Sequence, residues 1–335
     1  MSTLRRRTNG YFFIDIRTDG ARKRISLDTK DRRTAKAKAN IIERDLTGGE
    51  PISRATLDDF KLEFELYSKA RKAPSTTKAE RYALNKLSKF IRMRYLDQIT
   101  PKMADAFVTA IAREKKKDKT LTPGAVNFYI RTLKAIFTTA HKWGYVDRNP
   151  FVGVKAIRFE RSMPRILTLG EIASVFEAAK RIEPAMAPLI EFYLLTGMRR
   201  NEALNLEWRD VDLARNVLIL RNTKGKRART VPMAPRVKTI LDGRRELARP
   251  FLFRPSTVSH KFTLIAREAG IGDVSLHDLR RSFTSYAQDI GMPAMFLPWL
   301  IGHTEEQTTQ QHYTGFYDEM IAQYFVKLQA KIFPN

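Results

Sequence analysis

Apolar residues recur at helical spacing through most of the chain, whereas strand-like alternation is confined to short stretches. Spacings of three and four residues place side chains on one face of a helix, so such a stripe predicts a buried face. The stripe that follows Thr122 and Pro123 consists of Val126, Tyr129, Ile130, Leu133, Ile136 and Phe137. The pattern predicts a multidomain, mainly α protein with small β-sheets.

Residues 1–50 predict a small α+β unit. Tyr11–Arg17 and Arg22–Leu27 have the composition of two strands, and the four residues between them favour a hairpin turn. A helix is expected from Asp31 onward, with either Asp28 or Asp31 as its cap.

Residues 54–150 predict four main helices. Four pairs of residues indicate helix starts, either as capping boxes or as an N-cap followed by proline. These pairs are Thr56 with Asp59, Thr77 with Glu80, Thr100 with Pro101, and Thr122 with Pro123. Gly48–Pro51 before this unit is expected to be a linker.

Residues 166–335 predict a mixed but mainly α unit, joined to the preceding one by a basic connector over 151–165. Thr168 with Glu171 predicts a helix start, and Gly197 a helix end. Strands are expected at Asn216–Leu220 and Arg229–Met233. Further helices are expected to begin at Ala234, Thr257, Leu276, Pro293 and Glu319. The apolar stripe of the last helix is equally consistent with packing within its own chain and with packing on a second protomer.

The chain is strongly basic. Its 61 lysines and arginines against 36 aspartates and glutamates give a formal net charge of +25. Neutralising phosphates releases condensed counterions, so this excess favours a nucleic acid partner first and an acidic membrane surface second. A basic protein with no polyanionic partner is the alternative that charge alone leaves open.

The absence of cysteine excludes disulfides, thiolate nucleophiles and cysteine-based zinc sites. The N-terminus continues into polar sequence, and no stretch approaches 18 uncharged apolar residues. We therefore expect a cytoplasmic protein, associated with the nucleoid of a prokaryotic or phage-host cell, and no membrane partner.

Two pairs of residues with the same spacing carry candidate chemistry. Arg199 and Glu202 lie three residues apart just after Gly197, and His277 and Arg280 repeat the spacing later. Residues three apart share a helix face. Arginine offers a planar donor fork to phosphate oxygens, and histidine exchanges a proton near neutral pH. The alternatives are a surface ion pair and a capped surface helix.

A third group lies towards the C-terminus, where Gly302-His303 is followed by His312-Tyr313. A zinc site built from His277, His303 and His312 is one alternative. These histidines lack the spacing of a two-histidine helix motif and a nearby carboxylate, so we predict no metal and no other cofactor.

The order of these pieces resembles the tyrosine recombinase (phage integrase) family over roughly residues 166–320. The segments Thr-Gly-Met-Arg-Arg-Asn-Glu-Ala-Leu, His-Asp-Leu-Arg-Arg-Ser-Phe and Leu-Ile-Gly-His occur in the family's order. The resemblance implies a helical, SAM-like core-binding domain over 54–150 and a catalytic domain over 166–335. Residues 1–50 are more loosely similar to the arm-binding domains of phage-type integrases.

The resemblance implies a role for five residues of these groups. Arg199 and Arg280 match the two arginines that clamp the scissile phosphate, and Glu202 matches the acidic residue that supports them. His277 matches the general acid/base histidine. His303 matches a further donor to the phosphate.

Two positions depart from the family or leave a choice open. Tyr313 matches the nucleophile, but it follows His303 by ten residues where nine is usual, which leaves Tyr317 as a rival. Lys224 matches the hairpin lysine that protonates the leaving 5′ oxygen, and Lys226 is its rival.

The resemblance implies a site-specific recombinase or integrase of a phage or mobile element. Such an enzyme cleaves and rejoins duplex DNA through a 3′-phosphotyrosyl intermediate and needs neither metal nor ATP. Its partners would be att-like core and arm sites, a homotetramer on DNA, and a bending or excision factor. The alternatives are a catalytically silent DNA-binding accessory protein and a type IB topoisomerase-like enzyme.

Overall fold

The computed structural model describes most of the chain, and the chain divides into two compact units, 1–161 and 162–335. The described residues are 2–18, 21–47, 55–116, 119–160, 163–221, 228–245, 253, 257–302 and 314–334. None of the described helices is long and apolar enough to cross a membrane.

The first unit opens with an antiparallel sheet that packs on a helix. The strands β1 (Ser2–Arg6), β2 (Phe12–Thr18) and β3 (Ala21–Ser26) pair in that order, and α1 (Arg32–Thr47) follows. Alternation along the strands places Leu4, Ile14 and Ile25 in register, and all three contribute to a small core shared with α1. The sheet therefore has one apolar face and one polar face.

The rest of the first unit is helical apart from one short pair of strands. Its elements are α2 (Leu57–Arg71), α3 (Pro74–Phe90), α4 (Pro101–Arg113), the short pair β4 (Lys115–Lys116) and β5 (Lys119–Thr120), and α5 (Pro123–Lys142). The stripe predicted after Thr122 is buried on α5, which packs against α3 and α4. Apolar residues of all four helices form one core.

Helix α1 packs on α2, and a buried polar cluster joins them. The Tyr145 hydroxyl donates to Glu63 Oε2 at 2.6 Å, and the Asn40 amide lies 3.3 Å from both groups. Glu63 is buried, and buried carboxylates are stable only with such partners. The N-terminal sheet and the helical region thus belong to one compact unit.

The second unit surrounds a buried helix with a small sheet and further helices. Its helices are α6 (Leu169–Ile182), α7 (Ala187–Thr196), α8 (Arg200–Leu204), α9 (Pro235–Asp242), α10 (Val258–Glu268), α11 (Leu276–Asp289), α12 (Leu297–Ile301) and α13 (Thr314–Ile332). The strands β6 (Val211–Asp212), β7 (Val217–Leu220) and β8 (Arg229–Pro232) form an antiparallel sheet in that order. Every residue of α7 except Pro188 is buried, so the core of this unit is built around α7.

The C-terminal helix packs within its own unit. Helix α13 contacts α7, α11 and β8, and it buries Ile321, Phe325, Leu328 and Ile332. The sequence left open whether this apolar stripe packs within its own chain or on a second protomer. In this structure the stripe packs within its own chain.

Several local predictions are confirmed and others are wrong. Thr56, Thr100, Thr122 and Thr168 cap their helices through their side chains, and Asp31 accepts from the Thr34 N–H at the start of α1. The predicted capping box of Thr77 with Glu80 is wrong. Helix α3 begins earlier, at Pro74, and both side chains are buried with Ser68 in a polar cluster. The last helix begins at Thr314, not at Glu319.

Candidate active site

The first motif lies where α7 ends and α8 begins. Gly197 ends α7 in the left-handed conformation, with φ of 59°. A Cβ on Gly197 would lie 2.3 Å from the Phe283 ring, so only glycine fits. The chain then turns, and Arg199 is the N-cap residue of α8.

Glu202 lies in the first turn of α8 and accepts hydrogen bonds from two arginines. It accepts from the Arg199 backbone N–H at 2.8 Å and from Arg199 Nη1 at 3.0 Å. Arg229, at the start of β8, donates to both oxygens at 3.0 and 2.7 Å. Burial by itself raises the pKa of Glu202, but the hydrogen bonds and charge of Arg229 and the donors of Arg199 hold that pKa below its ordinary value. The carboxylate is therefore ionised at neutral pH.

The second motif begins α11. Asp278 accepts from the backbone N–H of Ser275 and fixes the helix start. His277 is only partly shielded from solvent, whereas Arg280, one turn later, is 5% exposed. The same short segment therefore presents an accessible imidazole and a buried guanidinium.

Three arginines meet at the C-terminal end of α12. Arg229 Nε donates to Leu300 O at 3.0 Å, Arg280 Nη2 donates to Ile301 O, and Arg199 Nη2 donates to Gly302 O at 2.5 Å. The last carbonyls of a helix have no partner inside the helix, and cations are favourable there. Three successive carbonyls thus hold three guanidinium groups from separate parts of the sequence.

Arg280 also bridges two helix ends, because its Nη1 donates to Gly197 O at 2.7 Å. Burial, assisted by the positive charge of Arg199, lowers the pKa of Arg280 to about 10. The guanidinium therefore remains positive at neutral pH, in a position fixed from two sides.

Gly302 leaves room for this arrangement. Its φ of 66° is left-handed, and a Cβ there would lie 2.6 Å from Arg199 Nη1 and 3.0 Å from Arg229 Nη1. A larger residue would displace the arginines, so this part of the Gly-His motif is explained by packing.

His277 and Arg280 line a common cleft of about 360 Å³, together with Ile301, Thr284 and Pro164. Partial burial lowers the pKa of His277 below its ordinary 6.5, and the charges of Arg281 and Arg280 act in the same direction. A larger cavity of about 1060 Å³, between α7, α9 and α10, contains none of the predicted site residues.

The structure brings Arg199, Glu202 and Arg280 together and places His277 beside Arg280. Lys224, His303 and Tyr313 lie outside the described residues, as does Lys226. The zinc alternative depends on His303 and His312, which lie there too.

Arg229 is the residue that the sequence analysis missed. The sequence predicted it as the first residue of the strand Arg229–Met233, whereas its side chain is 4% exposed and pairs with Glu202. Alternation in β8 points Arg229 inward with Val231, which is the one signal that was available.

The arrangement is suited to binding a phosphate. Three positive charges are held by one carboxylate and backbone carbonyls, so an excess of positive charge remains beside the cleft that Arg280 lines. A phosphodiester would relieve the repulsion among the guanidinium groups, whose planar donor forks match phosphate oxygens.

Comparison with known families and structures agrees with this geometry. Residues 165–320 match the phage integrase family, and residues 57–158 match the phage integrase SAM-like domain. A tyrosine recombinase of Thermosipho africanus is 26% identical over 250 residues, which are 71% of this chain and 88% of that protein.

Two solved structures of lambda integrase share the fold. One is a dimer bound to a COC' core site, with a TM-score of 0.63 and 20% identity, covering 96% of this chain and 94% of that one. The other is a tetramer bound to a Holliday junction, with a TM-score of 0.63 and 20% identity, covering 92% of this chain and 97% of that one. These structures show the fold. The two family matches, which span most of the chain, show that the chain belongs to the phage integrase family and is a tyrosine-type site-specific DNA recombinase.

Proposed function

We propose that the chain cleaves and rejoins duplex DNA through Tyr313, with Arg199 and Arg280 holding the scissile phosphate. The observation that carries this proposal is the meeting of these two guanidinium groups on adjacent carbonyls, Ile301 and Gly302. These two residues directly precede His303, where the segment that leads to Tyr313 begins.

The arginines supply the largest part of the catalysis. Attack on a phosphodiester concentrates negative charge on the non-bridging oxygens of the transition state. Donors that are already in position stabilise this charge without having to reorganise. Two backbone carbonyls fix Arg280, and Glu202 together with a third carbonyl fixes Arg199. Both guanidinium groups are therefore in position before the substrate binds.

His277 and Lys224 are the proposed proton-transfer groups, and His303 is a further hydrogen-bond donor. The Tyr313 phenol has an ordinary pKa near ~10, so its proton must be removed as the oxygen attacks phosphorus. His277, which is neutral at pH 7, is the proposed base. Lys224 donates a proton to the leaving 5′ oxygen, and His303 donates a hydrogen bond to the phosphate.

The bond changes balance without a co-reactant. A P–O bond forms to Tyr313 as the P–O bond to the 5′ oxygen breaks, and a 5′ hydroxyl on another strand later reverses the step. The phosphotyrosine conserves the energy of the phosphodiester, so rejoining requires no external energy source.

We further propose that residues 1–50 form an arm-type DNA-binding domain, 54–150 a core-binding domain, 151–165 a connector and 166–335 the catalytic domain. The polar face of the N-terminal sheet supports the first assignment. Arg5, Arg22 and Arg24 are about half exposed around Asp15, whose oxygens lie 3.7, 2.6 and 3.1 Å from them. A strand face with fixed arginines suits contact with duplex DNA.

On DNA we propose a homotetramer acting at att-like sites of a phage or mobile element, in the cytoplasm and at the nucleoid. The lambda integrase tetramer on a Holliday junction supports this assembly. A bending or excision factor would set the direction of recombination. The accessory-protein and topoisomerase-like alternatives are outcomes of the test below.

The test is capture of DNA that becomes covalently bound to the wild-type chain. The library consists of nicked duplexes, from which the short fragment with the free 5′ hydroxyl dissociates after cleavage. Rejoining is then impossible, so the covalent intermediate accumulates, and sequencing of the bound DNA identifies the site. Peptide mapping should locate the phosphodeoxynucleotide on Tyr313.

An adduct at one recurring sequence supports the recombinase. Adducts spread over unrelated sequences, with relaxation of plasmids that lack the site, favour the topoisomerase-like enzyme. Specific binding with no adduct favours the accessory protein and contradicts the proposal.

The environment of His277 leads to a pH prediction. Because burial and the neighbouring arginines lower its pKa, the ring should titrate below 6.5 in the DNA-free protein. As the proposed base, it must be neutral, so cleavage at subsaturating DNA, which reports the free protein, should fall with decreasing pH, with a midpoint below 6.5. Histidine C–H resonances followed by NMR, with His277→Asn for assignment, measure the first value.

Arg281→Gln is the matched variant for this prediction. Removing its positive charge should raise the pKa of His277 and move the acidic limb of cleavage to higher pH. A His277 pKa at or above 6.5 in the wild-type chain would contradict the prediction.

A further inference from the structure

Arg229 is the first residue of β8 and follows Lys224 by five residues in the sequence. Its side chain is 4% exposed and, unlike Arg280, it does not line the cleft that contains His277. An arginine so deeply buried needs a partner for each part of its guanidinium group.

All three nitrogens of Arg229 have such partners. Nη1 and Nη2 donate to the two oxygens of Glu202 at 3.0 and 2.7 Å, a fork-to-fork pair. Nε donates to Leu300 O at 3.0 Å. One rigid plane therefore connects the carboxylate of α8 with the end of α12.

Glu202 passes this constraint to Arg199. The same carboxylate accepts from the backbone N–H and from Nη1 of Arg199, whose other nitrogen donates to Gly302 O. Arg229 and Arg199 thus share one acid and contact carbonyls two residues apart. Without Arg229, the acid would lose two of its hydrogen-bond donors and the largest contribution to its lowered pKa.

We propose that Arg229 is a positioning residue of the recombination site. It orients Arg199 through Glu202, and it fixes the end of α12, from which the chain continues to His303. This inference rests on the proposed roles of Arg199 and His303, and it assigns Arg229 no contact with DNA.

Loss of Arg229 should affect the rate of cleavage and leave the affinity for DNA unchanged. A displaced Arg199 would slow cleavage, because misplacement of a catalytic group by about 1 Å can cost on the order of 10²-fold. The surfaces that hold the duplex would be unchanged. A residue that served stability alone would lower the folded fraction, and its effect would vanish wherever the protein is fully folded.

The experiment measures single-turnover cleavage of the captured site by Arg229→Gln and Arg229→Lys at saturating protein. Affinity for the uncleaved duplex and the thermal midpoint are measured on the same samples. We expect cleavage to fall about 10- to 10²-fold at a temperature where all variants are folded. Affinity should change by less than about threefold. Lysine retains the charge but cannot form the three-way contact, so its loss should be the smaller one.

Arg221→Gln is the matched control. Arg221 follows β7, pairs with Asp210 through Nε at 3.0 Å and is 57% exposed. It belongs to the same hairpin, but its charge lies outside the network of the three arginines. Its cleavage rate should match that of the wild-type chain.

A second measurement tests the route through Glu202. Once Arg229 is removed, the pKa of Glu202 should rise, because burial is then opposed by fewer hydrogen bonds and less positive charge. Cleavage by Arg229→Gln should therefore decrease at acidic pH more than cleavage by the wild-type chain does. Adding Glu202→Gln should abolish that extra pH dependence and slow cleavage no further than the slower single variant.

The outcomes are distinct. Cleavage by both Arg229 variants within about threefold of wild type overturns the inference, as does a loss that disappears once the proteins are fully folded. If Arg229→Gln does not fold, Arg229→Lys, which keeps a charge beside Glu202, serves in the same comparison. An inactive wild-type chain would instead contradict the proposed function.

Discussion

Tyr313→Phe should bind its target duplex and form no covalent adduct. The change removes one oxygen, and that oxygen is the proposed attacking atom. Loss of a nucleophile removes the reaction path itself, so we expect a decrease on the order of 10⁴–10⁶-fold in single-turnover cleavage. Trapping on the nicked duplex, followed by denaturing gel electrophoresis, measures the adduct, and a binding assay on the intact duplex measures affinity.

Tyr317→Phe is the matched control, since it makes the same chemical change four residues later. It should form adducts at the wild-type rate. The comparison matters because the ten-residue step from His303 leaves the choice between the two tyrosines open. A Tyr313→Phe protein that still forms a phosphotyrosine, with Tyr317→Phe inactive, would reverse the assignment.

Local patterns predicted most of the helices. The caps at Thr100, Thr122 and Thr168 depend on one side chain bonding a backbone N–H three residues on, which the sequence contains in full. The α5 stripe likewise depends only on spacing. Such features need no knowledge of distant parts of the chain, so the mainly α fold class is confirmed.

The wrong predictions concern residues whose local structure depends on tertiary contacts. Thr77 and Glu80 have the spacing of a capping box, but Ser68 in α2 hydrogen-bonds to both, and the cluster is buried inside the helix pair. Strand β1 was missed because Ser2–Arg6 has little strand character of its own. It forms by pairing with β2, which has the strong apolar alternation.

The site shows the same division. Spacing alone related Arg199 to Glu202 and His277 to Arg280. What brings the two pairs together is a set of backbone carbonyls at Leu300–Gly302, and any residue type carries a carbonyl. No residue pattern marks such an acceptor, so the role of Arg229 became visible only with the fold.

Arg280→Lys should lose about 10²–10³-fold in single-turnover cleavage, the range expected when a fixed donor to a developing charge is removed. The guanidinium joins Gly197 O to Ile301 O and lines the cleft with His277. A lysine has one nitrogen, which cannot span both carbonyls and still reach a phosphate. Burial also lowers the pKa of an amine, so the positive charge itself would be weakened.

Arg281→Lys, one residue later, is the matched control, because Arg281 is exposed and pairs with Asp278 at 2.7 Å. Its change keeps the charge beside His277, so cleavage should stay within about threefold of wild type. Arg280→Lys should also unfold more easily, by about 1–3 kcal/mol, since two carbonyls lose a buried donor. Rates are therefore compared at a temperature where both proteins are folded. If Arg280→Lys then cleaves within about tenfold of wild type, fixed charge at this position is not what stabilises the transition state.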